Sequence, residues 1–209
     1  NLKTEAPISD FTAYQSLAQV QWEKAFSIVE NAEFLSLEDA VNFYTSWYHT
    51  LIGSTIYMDV DGKYRGLDQR IHQADGFTNY TTFSLWDTYR AEHPFLNLFY
   101  PEQNASMIES MLQHYNQSVH HMLPIWSHYA NENWCMIGYH AVSVLADAVI
   151  KNNPYLKHTK RYLDAAHSTA NQRFYEGLGA YLDDGFVAED VSGSSVSKTL
   201  EYAYDDWCI

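Results

Sequence analysis

Residues 137–151, IGYHAVSVLADAVIK, decide how the chain folds. Drawn as a helix, this segment carries apolar side chains almost all round, which predicts an inner helix buried on every side. The run Asn152-Asn153-Pro154 ends it. Because a helix of this kind must be covered by further helices, the segment predicts a mainly α-helical protein.

Helical periodicity recurs on both sides of this inner segment. Asp10 is a predicted N-cap, and Pro101 suits the first turn of a helix. Ser36 with Asp39 resembles a capping box. The predicted helices cover residues 10–30, 36–52, 83–93, the segment from Pro101, 155–175 and 199–209, with irregular chain at 120–136 and a Gly-rich loop at 176–195. Inner and outer helices alternate without a repeat of fixed length, which predicts an all-α fold, namely a two-layered helical toroid or part of one.

Residues 54–80 break the helical period and predict a short β-hairpin excursion. Two short strand-like runs flank Asp61-Gly62, a pair that favours the turn of a hairpin. Polar groups of the kind that ligand-binding loops present also lie here: Arg65, Asp68 and His72.

The composition makes nucleic acid and membrane poor partners. The chain has 209 residues, a net charge of −14 and only 12 Lys and Arg, whereas nucleic acids and anionic lipids attract basic proteins. No apolar run reaches the roughly 18 residues needed to span a bilayer. Aromatic residues make up 16% of the chain. That share suits a neutral polyhydroxylated ligand, and it suits an aromatic helical core equally well.

The cysteines and the chain ends give little information about compartment. Cys135 and Cys208 lie far apart, and neither stands in a metal-binding spacing. The sequence starts at Asn1 without a signal peptide and stops at Ile209 inside a helical pattern. We therefore expect a fragment, so that any compartment signal would lie outside it.

The first candidate site is the stretch 83–90, FSLWDTYR. Trp86 offers a flat face that can pack on the C–H face of a sugar, and Asp87 can accept hydrogen bonds from a pair of hydroxyls. Arg90 follows Asp87 by three residues, so it shares a helical face with that carboxylate and is expected to hold it ionised. The alternative is a core Trp with a local Asp–Arg pair.

The second candidate is Glu132, just before the buried helix, which is expected to start near Met136. A carboxylate at a helix N-terminus is favoured by the helix dipole, so Glu132 could serve a site or simply stabilise the helix. His140 is interpreted as a satisfied core group of that helix. Four further histidines are interpreted as loop and surface residues: His114, His120, His121 and His128. Their spacing is not that of a zinc-binding helix.

Familiar catalytic patterns are otherwise missing from the sequence. Asp205-Asp206 places two carboxylates side by side, but adjacent helical residues point in different directions and cannot both serve one site without help. The chain contains no Gly-rich phosphate loop, no Gly-x-Ser-x-Gly elbow and no Cys/His nucleophile pattern.

Five ordered motifs together resemble the glycoside hydrolase family 92 α-mannosidases. In chain order they are NFYT with YHT within 42–50, DVDGKYRG at 59–66, FSLWDTYR at 83–90, NE at 131–132 with MIGYH at 136–140, and SVSKTLEYAYDD at 195–206. The resemblance runs over nearly the whole chain. Ala130 and Asn133 depart from it, since Gly and Thr are expected at these positions.

This resemblance implies an N-terminal β-sandwich followed by an (α/α)₆ toroid, of which residues 1–209 would form about the first half, without the sandwich and the C-terminal half. It implies calcium-dependent, inverting exo-hydrolysis of α-linked mannose from glycans, in the periplasm or outside the cell. Both catalytic carboxylates and most calcium ligands would lie C-terminal to this chain. No catalytic residue or metal ligand is therefore assigned here, and the chain alone is expected to be inactive. The implied substrate-binding residues are Trp86, Asp87, Arg90 and Glu132.

Further expectations concern the isolated chain and the alternatives to this family. A half toroid would leave the apolar segment 137–150 partly uncovered, so the chain is expected to self-associate. The alternatives are a non-catalytic helical module that binds carbohydrate or peptide, and a toroidal hydrolase that acts on another sugar.

Overall fold

In the computed structural model, which describes residues 2–7, 10–157 and 159–209, the chain is mainly α-helical. The helices in this described part are α1 (Leu2–Glu5), α2 (Phe11–Phe26), α3 (Leu37–Leu51), α4 (Leu85–Thr88), α5 (Glu92–Phe99), α6 (Pro101–Gln117), α7 (Ala141–Ile150), α8 (Thr159–Ala170), α9 (Leu178–Asp184) and α10 (Ser195–Cys208). The strands are β1 (Thr55–Ile56), β2 (Lys63–Arg65), β3 (Ile71–Gln73), β4 (Tyr80–Thr81), β5 (Phe83–Ser84) and β6 (Trp126–Ser127). The predicted helical class with a short β excursion is confirmed.

The chain divides into two compact units, namely Asn1–Gly53 with Asp59–Asp61, and Ser54–Met58 with Gly62–Ile209. The first unit is built on α2 and α3, and both begin at predicted caps. Asp10 Oδ1 accepts a hydrogen bond from the Thr12 backbone N–H at 3.0 Å. Ser36 Oγ accepts from the Asp39 N–H at 3.1 Å and donates to Asp39 Oδ2 at 2.7 Å. These caps satisfy N–H groups that have no partner inside the helix.

Aromatic side chains hold the first unit together. Trp47 is 4% exposed, and its ring centroid lies 5.8 Å from that of Phe26 in an edge-on arrangement. Trp22 packs on Tyr48 with centroids 4.7 Å apart. Several large apolar side chains of this unit are exposed: Phe11, Val20, Leu35, Leu37 and Val41. The unit therefore depends on aromatic pairs, each worth about 0.5–1.5 kcal/mol beyond its buried area, more than on a sealed core.

The β excursion lies mainly in the second unit, and its pairing differs from the prediction. The predicted hairpin across Asp61-Gly62 is wrong, because β1 pairs with β4 and β2 with β3, both antiparallel. The turn between β2 and β3 is closed by the Gly66 N–H, which donates to the Arg70 carbonyl at 2.8 Å. Gly62 has a φ of +79°, and a Cβ there would lie 2.6 Å from Gln73 Nε2. The positive φ favours glycine at this position, directly before β2.

The stretch predicted as one helix over 83–93 contains a strand and parts of two helices. β5 pairs with β6, which places Ser84 opposite Trp126. α4 follows at once and ends at Thr88, and α5 begins at Glu92. The expectation that a helix closes before Pro94 is wrong, since Pro94 lies in the first turn of α5. The N–H groups of a first turn have no intrahelical acceptor, so proline removes no bond there.

The core of the second unit lies where α5, α6, α7 and α8 pack on one another. α7 buries every side chain from Ala141 to Leu145, which agrees with the predicted inner helix, although α7 begins at Ala141 and not at residue 137. α6, the helix predicted from Pro101, supplies four large buried apolar side chains: Met107, Ile108, Met111 and Leu112.

A buried amide network fixes the end of α7 against α5 and α6. Asn153 Nδ2 donates to Asn97 Oδ1 at 2.8 Å and to the Pro101 carbonyl at 2.9 Å. Asn104 Nδ2 donates to the same Asn97 oxygen at 3.4 Å, and Asn104 Oδ1 lies 3.0 Å from His93 Nδ1. The predicted helix stop at Asn153 therefore also joins three helices.

The last third of the chain divides into helices differently from the prediction. The predicted helix over 155–175 is the shorter α8, and α10 starts at Ser195 rather than at residue 199. The predicted loop over 176–195 contains α9, which Gly177 and Gly185 bracket with φ values of +81° and +79°. Left-handed glycines end helices readily, so a Gly-rich stretch can still hold a short one. Among the described residues, no helix combines the length and the apolar content that crossing a membrane requires.

Candidate functional site

The turn formed by α4 presents two of the side chains predicted to bind a ligand. Leu85 is 1% exposed and anchors this turn in the core. Trp86 is partly buried and Asp87 is exposed. Asp87 Oδ2 accepts a short hydrogen bond from Ser84 Oγ, at the end of β5. This bond occupies one of the carboxylate's roughly four acceptor sites, so Asp87 can still accept hydrogen bonds from a ligand.

Arg90 lies against Trp86 instead of forming the expected pair with Asp87. Its Cζ lies 4.6 Å from the Trp86 ring centroid and 4.9 Å from that of Tyr89. Arg90 Nε donates to the Trp86 carbonyl at 3.2 Å, and Nη2 lies 3.7 Å from Glu201 Oε1. A guanidinium over an indole face is a favourable cation–π contact. The arginine therefore covers part of Trp86 and joins the α4 turn to α10.

A buried histidine lies behind this turn. Tyr89 stacks on His140 with ring centroids 4.1 Å apart and an angle of 18°. His140 Nδ1 lies 2.8 Å from Asp205 Oδ1. His140 Nε2 lies 2.9 Å from Glu201 Oε2, an ion-pair distance without hydrogen-bond alignment. Asp205 Oδ2 also accepts from the Tyr139 N–H at 2.7 Å. As predicted, His140 is a core group, and it has an acidic neighbour at each ring nitrogen.

The two adjacent acids of α10 diverge to opposite ends of one tyrosine. Asp205 is fully buried and accepts from the Tyr139 backbone N–H. Asp206 accepts from the Tyr139 hydroxyl at 2.6 Å and from the Tyr181 hydroxyl at 3.2 Å. Burial raises the pKa of Asp205, while its bond to His140 opposes that rise. The two carboxylates therefore fix the chain just before α7 and do not converge on one site.

Glu132 is held by backbone donors inside the loop 125–134. Its Oε2 accepts from the Ile125 N–H at 3.0 Å, and its Oε1 accepts from the N–H groups of Trp126 and Trp134, both at 2.9 Å. The side chain is 5% exposed. Burial raises the pKa of Glu132, and these N–H donors oppose the rise. Three donors use all but about one of the roughly four acceptor sites of this carboxylate, and together they hold the loop around it.

Two expectations, about Glu132 and about His114, are corrected. Glu132 does not lie at the N-terminus of the inner helix, because α7 begins at Ala141 and not near Met136. His114 is not a surface residue, because its side chain is 11% exposed on α6 and its Nε2 lies 3.5 Å from Glu132 Oε2. Burial lowers the pKa of His114 to about 3. The other three histidines of that group are exposed, as predicted: His120, His121 and His128.

A single pair of strands brings the two candidate places together. β5 ends at Ser84, which donates to Asp87, and β6 begins at Trp126, whose N–H donates to Glu132. Ser84 and Trp126 face each other in the β5–β6 register. The α4 turn and the loop 125–134 are therefore neighbours in the second unit, a relation that their distance in the sequence does not reveal.

The structure adds two acids that the sequence reasoning missed. Glu201 contacts both His140 and Arg90, and it precedes Asp205 by one helical turn. That i, i+4 spacing places both acids on one face of α10 and could have indicated a shared partner. Burial raises the pKa of Glu92 to about 7, and the charge of Asp87 adds to the rise.

Metal-ligating side chains do not cluster in the described part of the chain. Within it, no three His, Cys, Asp or Glu side chains gather closely enough to hold a metal ion. In the β excursion, Asp68 Oδ1 and His72 Nε2 lie 2.9 Å apart and form a local pair. Calcium binding by the whole enzyme stays an expectation from the family resemblance.

An apolar groove runs along α7 and α8. Its cavity volume is about 460 Å³, and Val142, Leu145 and Leu163 contribute to its walls. Ile150 at the end of α7 is 74% exposed. The predicted partial exposure of the inner helix is thus visible at this groove. Self-association through it stays a prediction.

Comparisons with known proteins agree with this geometry. The chain is similar to the family GH92 α-mannosidase BT3965 from Bacteroides thetaiotaomicron, at 47% identity and a TM-score of 0.92, over 98% of this chain and 27% of that one. It is also similar to the GH92 inverting mannosidase BT2199 from Bacteroides thetaiotaomicron VPI-5482, at 31% identity and a TM-score of 0.85, over 100% of this chain and 29% of that one. No curated protein matches the sequence closely enough to add a relative.

The α4 turn of this helical scaffold places the Trp86 indole, the exposed Asp87 carboxylate and the Arg90 guanidinium close together. The model of the glycosyl hydrolase family 92 catalytic domain matches residues 1–209. The chain belongs to this family. It spans about a quarter of the length of the solved family structures that it matches, since 27% and 29% of those chains are covered.

Proposed function

We propose that this chain forms part of an inverting exo-α-mannosidase that removes terminal α-linked mannose from glycans. The observation that carries the proposal is its 47% identity to a GH92 α-mannosidase over 98% of its length. A second structure of that mannosidase is a complex with mannoimidazole, and the chain matches it at 48% identity. A more distant match is to an inverting mannosidase. We also propose a periplasmic or extracellular location for the whole protein.

The α4 turn is the proposed contact with mannose. Asp87 is exposed and has acceptor sites left, so it suits a pair of sugar hydroxyls. Trp86 supplies an apolar face for the C–H side of the sugar ring. Because Arg90 covers one face of the indole, a stacked sugar would use the other face or the edge. Arg90 is half exposed, at 48%, and can donate to the same ligand.

Glu132 stays a predicted substrate-binding residue with a narrower role. Its carboxylate is 5% exposed and accepts from three backbone N–H groups. We propose that it acts on the ligand by fixing the loop 125–134 beside the α4 turn. Direct contact with a sugar would have to use the acceptor site that these three bonds leave.

The reaction itself is proposed for the whole enzyme and not for residues 1–209. Inversion requires an acid at the leaving oxygen and a base that activates water, with carboxyl groups about 6.5–9.5 Å apart. We assign neither group within this chain, and we expect the calcium ligands elsewhere as well. The isolated chain is therefore proposed to bind mannose without hydrolysing mannosides.

Titration with mannose or mannoimidazole tests the proposed contact. Trp fluorescence should change on binding, and Asp87→Ala should abolish the change. Asp164→Ala, at an exposed position of α8, is the matched control and should bind as the unaltered chain does. Binding that survives Asp87→Ala would contradict the proposed site. Binding of peptide but not of sugar would favour the non-catalytic module.

Assays of hydrolysis test the second part of the proposal. Purified residues 1–209 should release no mannose from an α-mannoside, because the acid and base are assigned outside them. Turnover that Asp87→Ala abolishes would refute the inactive-chain proposal.

A further inference from the structure

Glu201 occupies an unusual position between the core and the exposed α4 turn. Its Oε2 lies 2.9 Å from His140 Nε2, and its Oε1 lies 3.7 Å from Arg90 Nη2. The Glu201 side chain is 18% exposed, whereas His140 is 1% exposed and Arg90 is 48% exposed. The carboxylate therefore connects a buried ring to a side chain that reaches solvent.

The buried side of this connection is rigidly held. His140 is fixed by Asp205 at 2.8 Å and by stacking on Tyr89 at 4.1 Å. Asp205 is fully buried and accepts from the Tyr139 N–H at 2.7 Å. Packed and hydrogen-bonded groups of this kind keep one orientation. His140 therefore offers Glu201 a fixed ring nitrogen at 2.9 Å, a distance of an ion pair without the alignment of a hydrogen bond.

Arg90, on the exposed side of Glu201, needs a fixed contact to hold its side chain in one position. Arginine has many rotamers, and ordering a long side chain at a surface costs conformational entropy. Arg90 is ordered by its cation–π contact with Trp86 and by one bond from Nε to the Trp86 carbonyl at 3.2 Å. Its outer nitrogen Nη2 faces Glu201. At 3.7 Å the Glu201 carboxylate attracts Nη2 as an ion pair and so favours the ordered position of Arg90.

We propose that Glu201 is a positioning residue for the ligand-binding turn. It couples the fixed His140 to Arg90, and in this way it keeps the guanidinium over Trp86. The effect on sugar affinity rests on the proposed function, whereas the effect on the surroundings of Trp86 does not. Glu201 acts through Arg90 and makes no contact with the ligand.

Fluorine NMR of the full-length protein labelled with 5-fluorotryptophan tests the coupling without any sugar. Trp86→Phe assigns the resonance of Trp86. Arg90→Met removes the cation from the indole and should shift that resonance. Glu201→Gln should shift it in the same direction, and in the Arg90→Met background it should add no further shift, because contacting residues are not additive.

A matched control separates positioning from a general loss of an ion pair on α10. Lys198, also on α10, donates to Glu176 Oε2 at 2.6 Å, so Glu176→Gln removes a comparable pair and should leave the Trp86 resonance unchanged. If Glu201→Gln does not fold, Glu201→Asp keeps the charge, shortens the reach and should still shift the resonance. An unshifted Trp86 resonance in the folded Glu201 variant, or an equal shift with Arg90 already replaced, would overturn the proposal.

Ligand affinity gives the second measurement. Glu201→Gln should raise the Kd for mannose by roughly five- to tenfold, and the double variant should bind no more weakly than Arg90→Met alone. An unchanged Kd in Glu201→Gln would contradict the effect on affinity. If the unaltered protein binds no mannose, the proposed function fails, while the fluorine measurement still decides whether Glu201 positions Arg90.

Discussion

The loop around Glu132 and the turn around Asp87 are joined by one pair of strands, yet they treat a carboxylate in opposite ways. Glu132 is 5% exposed and accepts from three backbone N–H groups. Asp87 is exposed and accepts from the Ser84 hydroxyl. A buried acid must satisfy its oxygens within the protein, whereas an exposed acid can leave acceptor sites for a ligand. Burial therefore separates the two acids that were predicted to bind substrate: Glu132 is bonded within its loop, whereas Asp87 has acceptor sites open to a ligand.

The largest expected effect is a loss of stability when the buried acid, Glu132, is replaced. Glu132→Ala leaves the N–H groups of Ile125, Trp126 and Trp134 without their acceptor, and each such loss costs about 1–3 kcal/mol. We expect the free energy of unfolding to fall by at least about 3 kcal/mol, the lower end of three such losses, measured by urea denaturation. Asp87→Ala is the control. Equal losses in the two variants would remove the distinction between the two carboxylates.

The second largest effect is a loss of stability in acid, caused by His114 beside Glu132. The pKa of His114 is lowered to about 3 by burial, against roughly 6.5 in the unfolded chain. Below pH 6.5, His114 therefore binds a proton in the unfolded state but not in the folded state. The stability from this group is full above about pH 6.5 and is lost as the pH falls toward about 3. We expect about 2 kcal/mol less stability at pH 4.5 than at pH 7 from this group.

His114→Gln isolates that contribution. Glu132 has a raised pKa, so its own titration favours the folded state in acid and opposes the effect of His114. The difference between the unaltered chain and His114→Gln cancels the part that is not due to His114. If both lose stability equally between pH 7 and pH 4.5, the assignment to His114 is wrong.

A smaller effect on stability is expected for Glu92, which lies near Asp87. The pKa of Glu92 is raised to about 7, first by burial and then by the charge of Asp87. The folded chain keeps a proton that the unfolded chain releases above its ordinary pKa, so the stability from this group is present below that value and is lost as the pH rises through 7. Glu92→Gln should therefore stabilise the protein by about 1 kcal/mol at pH 8 and hardly at all at pH 4, after allowance for partial exposure.

Thermal unfolding of Glu92→Gln at these two pH values is the measurement. Asp87→Asn should reduce the same pH dependence, because it removes the charge that raises the pKa of Glu92. A gain in stability that is the same at pH 4 and pH 8 would show that Glu92 is not held protonated.

The smallest expected effect concerns Asp87 itself. Asp87→Asn should change the free energy of unfolding by no more than about 0.5 kcal/mol, since surface substitutions are usually near neutral. Affinity for mannose should fall all the same, which isothermal calorimetry can measure. A large loss of stability would place Asp87 with Glu132 as a structural acid.

Local signals in the sequence predicted the helix starts well. The caps at Asp10 and Ser36 and the first-turn proline at Pro101 are all found. Each depends on groups within a few residues of one another, so the neighbouring sequence contains the needed information. The buried character of α7 was also predicted, because helical periodicity is itself local.

Pairing between distant segments was predicted poorly. Asp61-Gly62 has the residues of a hairpin turn, but β2 pairs beyond it with β3. The Gly-rich stretch hid α9, because Gly177 and Gly185 bracket a short helix. The position of Glu132 relative to the inner helix was predicted wrongly, because α7 begins at Ala141 and the carboxylate accepts from loop N–H groups instead of lying at a helix N-terminus. In each case the observed structure differed from the one that the neighbouring residues favoured.

The sequence by itself determined the helical class, the inner helix, the family and the indole–carboxylate pair at Trp86 and Asp87. Only the tertiary structure decided that Arg90 stacks on Trp86 and meets Glu201, and that Glu132 is enclosed by backbone donors. The physical reason is the distance along the sequence over which each kind of interaction acts. Periodicity, capping and motif spacing act over a few residues, whereas the burial and the partners of a charge depend on which distant segments pack around it.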